Sequence, residues 1–400
     1  MSGMNFAALL RHLLGTATNY SIVLAAIVTI TSIARADDAK RSNGDSFFPM
    51  AGAKDCVFDQ KRERLYVTTL KQLVVLDTKD GKVIEEIDLL GGVRACDISP
   101  DFQFLAVAPT QGHFIYWIEL DKLEINQVTF EADASESGVF DLCVGYDNSV
   151  LFSMTYAGSG WVQLRRFLPE SKSVEKAGNI RMDSLVSASG DRRYAAVAEG
   201  NISSGPLNLY DFQSKSLKKI ADLDCFYYEI ACAPDAKYFA RPHRSGCGFY
   251  DSKGTSLGNL EGKPVICAAF HPKGNTLFVM RDGESGLQEY DMQGNSLAAN
   301  YRFDSAVAIR GTVNERIIAQ AVPVGPNGAM VNVRRVADVH FSAFKSGRLR
   351  VSDDGEKLFA VTPTGVYMFS VKSTAPSPGD GKPKRRINVI DGSSGAGKSG

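Results

Sequence analysis

Several common signatures of catalytic and metal sites are missing from this sequence of 400 residues. Its cysteines include no C-x-x-C pair, so a zinc ribbon or a thioredoxin-type motif has no support. No two histidines stand at a metal-ligand spacing such as H-x-x-x-H. The sequence therefore predicts no metal site, no cofactor and no catalytic residue.

Net charge is also missing. The chain has 45 basic and 45 acidic residues, so its formal net charge is zero. A nucleic-acid-binding protein normally carries a basic surface that pairs with phosphates, and no such excess exists here. The one basic run, at residues 382–386, is interpreted as part of a solvated tail. We therefore expect no nucleic-acid partner.

A long hydrophobic run is lacking as well. The most apolar stretch, residues 22–34, is shorter than the roughly 20 residues that a membrane-spanning helix needs. It ends in Ala34-Arg35-Ala36, which supplies the small residues that signal peptidase requires. We predict a secretory signal peptide at residues 1–36, and hence a secreted or periplasmic protein. An uncleaved anchor at residues 13–34 is the alternative, and only then do we expect contact with a membrane.

The cysteines follow a pattern that does not suit a disulfide scaffold. Most lie in short apolar segments such as ACDIS, DLCVG and VICAAF, where a cysteine packs as a small hydrophobe. Their odd number leaves at least one thiol unpaired or bonded to another chain. They stand at positions 56, 96, 143, 225, 232, 247 and 267.

What the sequence does contain is a repeat with a period of about 40 residues. Its first copy, KDCVFDQKRERLYVTTLKQLVVLDTKDGKVIEEIDL, predicts four short strands joined by tight turns. The turn between the first and second strands recurs eight times, in VFDQKRERLYV, ISPDFQFLAV, GYDNSVLFSM, ASGDRRYAAV, CAPDAKYFA, FHPKGNTLFVM, GTVNERIIAQ and SDDGEKLFAV. The turn between the third and fourth strands recurs too, often with an Asp that caps its own turn, as in VLDTKDGKV and LYDFQSKSL.

These segments resemble known propeller repeats. LYVTTLKQLVVLDTKDGKVI resembles the YVTN-type repeat, and SPDFQFLAV and FHPKGNTLFV resemble the first turn of WD40-like repeats. The resemblance implies an all-β fold, a β-propeller of four-stranded antiparallel blades. It stops at the level of the blade, because no third strand ends in Trp-Asp and the chain has only two tryptophans.

Eight turns favour eight blades, with seven as the alternative. The last copy supplies only three strands, so we predict that the segment SFFPM, residues 46–50, adds its fourth, outer strand. Such closure joins the two ends of the ring and removes its open edges. The predicted domains are the signal peptide at residues 1–36, the propeller at 46–371 and a flexible tail at 372–400.

In a propeller, the loops between second and third strands lie on the same face as the links between blades. We call this the looped face, because here it carries the irregular segments at residues 109–113, 131–138, 157–160, 199–206, 241–246, 281–286 and 322–328. The opposite, short-turn face carries the uniform turns. Variable loops on a rigid scaffold commonly build binding sites. Four cationic side chains there suit an anionic ligand, namely Arg241, His243, Arg244 and Arg281.

The tail contains GSSGAGKS, which matches the phosphate-loop pattern at Gly392, Gly397, Lys398 and Ser399. A working phosphate loop joins a strand of a parallel sheet to a helix whose N-terminus faces the phosphates. A chain of antiparallel repeats offers no such sheet, and the sequence runs only one residue past Ser399. We therefore interpret the match as accidental and expect no nucleotide binding.

Two functions from different classes remain open. The first is a non-catalytic binding or scaffold module, expected to be monomeric, that holds a protein, peptide or glycan on its looped face. The second is a hydrolase or lyase that acts at the mouth of the central channel. Three or more Asp, Glu, His or Asn side chains converging there from different blades favour the enzyme, whereas a plugged channel favours the module.

Overall fold

Every regular element of the described chain is a β-strand. The structure is a computed structural model, and it describes residues 45–134, 136–156, 160–199, 205–223, 229–243, 245–274, 276–281, 286–291, 296–302, 321–324, 329–332, 347–362 and 364–371. The chain divides into a unit at Met1–Asp45, of which only Asp45 is described, and a unit at Ser46–Gly400. The predicted signal segment and the tail lie outside the described residues. No helix that is long and apolar enough to cross a bilayer occurs in the described part.

The first strand, β1 (Ser46–Pro49), precedes the blades. Blade 1 comprises β2 (Ala53–Asp59), β3 (Arg64–Thr69), β4 (Gln72–Asp77) and β5 (Val83–Asp88). Blade 2 comprises β6 (Val93–Ile98), β7 (Phe104–Pro109), β8 (Phe114–Glu119) and β9 (Glu124–Thr129). Blade 3 comprises β10 (Glu136–Val144), β11 (Val150–Tyr156), β12 (Trp161–Leu168) and β13 (Ser173–Arg181). Each blade is one antiparallel sheet, with its strands in chain order.

Blades 4 to 6 repeat this arrangement. Blade 4 comprises β14 (Ser184–Ala188), β15 (Tyr194–Glu199), β16 (Gly205–Asp211) and β17 (Ser216–Leu223). Blade 5 comprises β18 (Ala231–Cys232), β19 (Tyr238–His243), β20 (Gly246–Asp251) and β21 (Ser256–Glu261). Blade 6 comprises β22 (Val265–Phe270), β23 (Thr276–Arg281), β24 (Gly286–Asp291) and β25 (Ser296–Arg302). A two-stranded sheet of β26 (Ala321–Val324) and β27 (Ala329–Asn332) follows.

Blade 7 closes the ring with strands from both ends of the propeller. It contains β28 (Arg348–Val351), β29 (Lys357–Thr362) and β30 (Gly365–Ser370), and β1 pairs antiparallel with β30 from Ser46↔Met368 to Pro49↔Gly365. The prediction that residues 46–50 provide the outer strand of the last blade is confirmed. Phe48 of β1 is 4% exposed, and its ring packs against the turn of blade 1 at Gly81. The closing strand therefore also seals the junction between blades 7 and 1.

The described chain forms seven four-stranded blades, so the predicted count of eight is wrong. The innermost strands contact one another in a complete ring, in the order β2, β6, β10, β14, β18, β22, β28 and back to β2. Blades 6 and 7 share one hydrophobic cluster, in which Phe278 and Met280 pack with Leu349 and Leu358. Since these blades touch directly, no blade stands between them. The segment GTVNERIIAQ, counted as a blade marker, lies outside the described residues.

Burial explains why the strands differ in composition. Inner strands are packed between neighbouring blades and are mostly buried, whereas the outer strand β5 exposes five of its six residues. Asp residues cap the turns from third to fourth strands, as predicted. The backbone N–H groups of Lys79, Gln213 and Lys253 donate at 2.8–2.9 Å to the carboxylates two residues earlier, Asp77, Asp211 and Asp251.

Candidate functional site

The central channel is filled by charged side chains that come from different blades. The innermost strands are rich in apolar residues, yet most carry charged residues in or beside them. These residues are Asp55 of blade 1, Asp97 of blade 2, Asp141 of blade 3, Glu229 before β18 of blade 5, and Arg348 and Arg350 of blade 7. We call these six residues the channel network. An innermost strand has a free edge, whose backbone N–H groups need partners when they are buried.

The aspartates of the channel network supply those partners from one blade to the next. Asp55 accepts a hydrogen bond from the N–H of Cys96 in blade 2 at 3.3 Å. Asp97 accepts from Val144 N–H in blade 3 at 2.8 Å, and Asp141 accepts from Val186 N–H in blade 4 at 2.9 Å. Ser187 of blade 4 continues the series, because its hydroxyl oxygen accepts a hydrogen bond from the N–H of Cys232 in blade 5 at 3.3 Å. Each aspartate also accepts from the N–H of the residue that follows it.

Arg348 joins three blades across the channel. Its guanidinium donates to Asp55 at 3.1 Å and to both carboxylate oxygens of Asp141 at 3.0 and 3.1 Å. Its Nε lies 3.6 Å from a carboxylate oxygen of Glu229. The side chain is 1% exposed, so its charge depends on these partners rather than on water. Arg348 thus plugs the channel with one cation held by blades 1, 3 and 5.

Two further arginines extend the plug. Arg350 donates two hydrogen bonds to Asp55, at 2.6 and 2.9 Å. Arg192, from the first turn of blade 4, donates to Asp97 at 3.1 Å and to Asp353 of blade 7 at 3.3 Å. Because that turn lies on the short-turn face, Arg192 covers this end of the channel.

Glu229 is the least saturated carboxylate of the channel network. Besides its contact with Arg348, it accepts a hydrogen bond from the N–H of Ile230 at 3.3 Å. Burial raises the pKa of Glu229 to about 7, and the nearby Asp141 adds to this effect while Arg348 opposes it. Burial likewise raises the pKa of Asp141. Glu229 therefore changes charge near neutral pH.

Substituting Glu229→Gln is expected to remove part of the pH dependence of stability. A carboxyl group whose pKa is higher in the folded state than in the unfolded state stabilises most below its unfolded pKa, near 4.5, and that contribution is lost as pH rises to about 7. The wild-type protein should therefore lose about 2 kcal/mol more than Glu229→Gln between pH 5 and pH 8. Urea unfolding at both pH values measures this. The exposed Glu85→Gln provides the control, and parallel curves for wild type and Glu229→Gln would contradict the assignment.

A cavity of about 130 Å³ remains beside the network. Its lining includes Asp97, Arg192, Glu229 and Arg350, together with His271. This space has room for a few water molecules and is smaller than the pockets of several hundred Å³ that bind ordinary substrates. Within the described residues, no group of three or more His, Cys, Asp or Glu side chains is placed to hold a metal ion. The channel has convergent carboxylates, as an enzyme requires, but arginines neutralise and fill it.

The cationic side chains predicted to bind an anion lie in other surroundings than expected. Arg241 and His243 belong to strand β19 rather than to a loop, and both are 5% exposed. The Arg241 guanidinium lies 5.2 Å from the centre of the Tyr250 ring, in space left by Gly248, where a Cβ would come within 3.4 Å of it. His243 hydrogen-bonds with Ser245 and, through Nε2, with Asn259 at 3.1 Å.

Arg281 ends β23 and is 7% exposed. It donates to Gln288 at 2.8 Å and to the carbonyl oxygen of Lys263 at 2.7 Å, which ties it to the link between blades 5 and 6. Arg244 lies outside the described residues. The phosphate-loop match at Gly392, Gly397, Lys398 and Ser399 lies outside them as well. Anion binding by Arg241, His243, Arg244 and Arg281 stays a prediction.

The sequence contains a signal for the channel network that is not part of any catalytic or metal-binding motif. A charged residue interrupts an apolar inner strand in KDCVF, ACDIS, FDLCV and RLRVS. Buried charge is costly unless it is paired, so a charge that recurs in such strands indicates a shared polar centre.

The described cysteines are buried, as predicted. The six that the structure describes, all except Cys225, are buried and free, and burial raises the pKa of each.

Comparison with known proteins shows the fold alone. No family model and no curated protein matches the chain, so the resemblance to YVTN and WD40-like repeats stays a prediction. Among solved structures, the chain is similar to Kuenenia stuttgartiensis hydrazine synthase, with 11% identity and a TM-score of 0.58 over 84% of this chain and 98% of that one. In all, 1556 solved chains match, and a scaffold that common selects no single function.

The looped face presents apolar side chains to solvent. Leu70, in the loop between β3 and β4, and Leu90, in the link between blades 1 and 2, are 57% and 76% exposed. Tyr116 donates a hydrogen bond to the carbonyl oxygen of Leu90 at 3.0 Å and so fixes that link. Trp161, which follows the loop of blade 3, is 52% exposed. Exposed Leu and Trp side chains on fixed loops are suited to contact a partner.

Proposed function

We propose that this protein is a secreted or periplasmic β-propeller that acts as a non-catalytic binding module through its looped face. The observation that carries the proposal is the arginine plug. In the channel, where propeller enzymes can assemble a catalytic centre, Asp55, Asp97 and Asp141 are already bonded to guanidinium and backbone N–H groups. A carboxylate held in this way is a structural acceptor and a poor general base.

The exposed side chains of the looped face support the same proposal. Leu70 and Leu90 project from loops whose backbones pack together, since a Cβ on Gly92 would come within 2.7 Å of the carbonyl oxygen of Leu70. A rigid apolar projection loses little conformational entropy when it is covered by a partner. Export rests on the predicted signal peptide at residues 1–36.

Capture of the partner from the native host by cross-linking and mass spectrometry tests this function. We expect the cross-linked species to be lost with Leu70→Glu or Leu90→Glu and retained with Tyr146→Glu, which changes an exposed residue on the short-turn face. A partner that is retained by both leucine variants would contradict binding through the looped face. Recovery of the chain from the cytosol with Met1 intact would contradict export.

A hydrolase or lyase centred on Glu229 is the competing function. The pKa of about 7 for Glu229 favours it, because a general acid or base works best near the ambient pH. The small volume of the cavity beside the channel network opposes it. If the protein turns over any substrate and Glu229→Gln abolishes that turnover, the enzyme replaces the binding module.

A further inference from the structure

A groove of about 500 Å³ opens on the looped face between the outer parts of blades 3 and 4. It lies away from the central channel, and its volume is typical of pockets for small organic ligands. Trp161 and Arg181 line it from blade 3, and Pro206, Asn208, Lys219 and Asp222 line it from blade 4. We call these six residues the interblade groove.

One wall of the interblade groove is an exposed aromatic ring. Trp161 is the first residue of β12 and is 52% exposed, whereas the other tryptophan, Trp117, packs against Phe104 in the core at 5.1 Å between ring centroids. The Arg181 guanidinium lies 5.7 Å from the centre of the Trp161 ring, which orients the indole. The indole thus offers a flat apolar surface that is already positioned.

The other wall holds the side-chain amide of Asn208, which has no hydrogen-bond partner in the described part of the chain. Asn208 is 7% exposed and lines the groove. Its amide nitrogen and oxygen are not sealed off from solvent but open into the groove, where a ligand or water can hydrogen-bond to them. The amide presents a donor and an acceptor side by side.

The same strand position in other blades shows how unusual this amide is. Asn208 stands three residues before the end of the third strand, and Tyr116, Arg165 and Gln288 occupy that position in blades 2, 3 and 6. Tyr116 donates to Leu90, Arg165 donates to Glu136, and Gln288 accepts from Arg281. Each of these polar side chains is satisfied within the protein. At this position in blade 4, Asn208 differs, because no described residue hydrogen-bonds to its side chain.

The remaining groups define the chemistry of the ligand. Lys219 and Asp222 form an exposed ion pair at 2.7 Å, so one edge of the groove is polar and close to neutral. An apolar peptide side chain needs an apolar pocket on several sides, and here only the indole and Pro206 are apolar. A sugar ring has one face of C–H groups and a rim of hydroxyls, each of which both donates and accepts. That combination matches an indole face next to an amide and an ion pair.

We propose that the interblade groove binds a carbohydrate, whose ring stacks on Trp161 while two neighbouring hydroxyls pair with the amide of Asn208. This inference rests on the proposed function, since it names the ligand class of the looped face. The Lys219–Asp222 pair contacts further hydroxyls.

Binding of the full-length protein to a broad glycan array, followed by calorimetry with an oligosaccharide that binds there, tests the proposal. We expect wild type to bind and the Trp161→Ala and Asn208→Leu variants to lose at least about tenfold in affinity. Asn208→Leu removes the unpaired amide and should keep the urea midpoint, so its loss of binding is not a loss of folding. Tyr238→Ala, which changes an exposed aromatic residue on the short-turn face, should bind like wild type.

Other outcomes overturn the inference in distinguishable ways. Wild type that binds no glycan above the level of Trp161→Ala overturns it, and so does glycan binding that both groove variants retain. Binding to a peptide array that depends on Trp161, without glycan binding, assigns the groove to a peptide instead. In each of these cases the proposed binding module stands if capture of the partner still depends on Leu70 and Leu90. Cleavage of a bound glycan that Glu229→Gln abolishes would overturn the non-catalytic function and leave the groove in place.

Discussion

The variant Arg348→Met is expected to lower the free energy of unfolding by about 3–5 kcal/mol, the range for removing one partner from a buried ion pair. Methionine keeps most of the volume of the side chain but none of its charge. Asp55 keeps Arg350 as a partner, whereas Asp141 loses its guanidinium and Glu229 loses its nearest cation. The cost therefore comes chiefly from two carboxylates left buried without a counter-charge.

Urea unfolding at pH 8 and at pH 5 measures this effect and identifies its cause. At pH 5 the buried carboxyl groups of Glu229 and Asp141 can take up protons, so the loss should be smaller than at pH 8. Arg193→Met is the matched control, because Arg193 forms an exposed pair with Asp211 at 3.6 Å, and such pairs contribute at most about 1 kcal/mol. A loss below 1 kcal/mol for Arg348→Met, or one that is equal at both pH values, would show that the channel does not depend on this charge.

The variant Phe48→Ala is expected to lose about 3–5 kcal/mol of unfolding free energy, as is usual when a buried phenylalanine becomes alanine. Phe48 packs in one cluster with Val67 and Val74 of blade 1 and Phe359 of blade 7. Its removal therefore leaves a cavity at the junction where the ring closes. A weakened closing strand also exposes the edge of β30, so we expect more aggregation on heating.

Thermal and urea unfolding, with light scattering during heating, check the prediction for Phe48. Leu257→Ala is the control, because Leu257 is 46% exposed on the outer strand β21 and its truncation should change stability by less than about 1 kcal/mol. If Phe48→Ala behaves like Leu257→Ala, the pairing of β1 with β30 contributes little to the closed ring.

Local sequence chemistry predicted the blades well because a blade is built from local contacts. The turn residues and apolar runs of VFDQKRERLYV predict two strands and a tight turn, and the structure has β2, β3 and that turn. The number of blades could not be predicted from local sequence, because it is set by how whole sheets pack around the channel. GTVNERIIAQ has the local chemistry of a blade turn, but the direct packing of Met280 against blade 7 leaves no place for another blade.

The sequence shows the charged residues of the candidate site, but it does not show which of them come together. Arg348 meets Asp55, Asp141 and Glu229 because the ring brings blades 1, 3, 5 and 7 to one axis, and no sequence spacing encodes that meeting. Arg241 was expected in a loop, but β19 continues to His243 and Gly248 leaves space for the guanidinium beside the strand. The interblade groove likewise combines two blades. Its one local signal was an exposed tryptophan after a Gly-rich loop.

The aspartates of the channel network also bear on how far the repeats of this chain can differ. Each of the three aspartates, Asp55, Asp97 and Asp141, accepts a hydrogen bond from a backbone N–H of the next blade. Every residue except proline has that N–H group. The strand that donates this N–H can therefore change its side chains without losing the bond, and only the repeat that supplies the aspartate must keep its side chain. Repeats joined in this way can differ in their side chains one at a time, and the copies in this ring do share turns but few side chains.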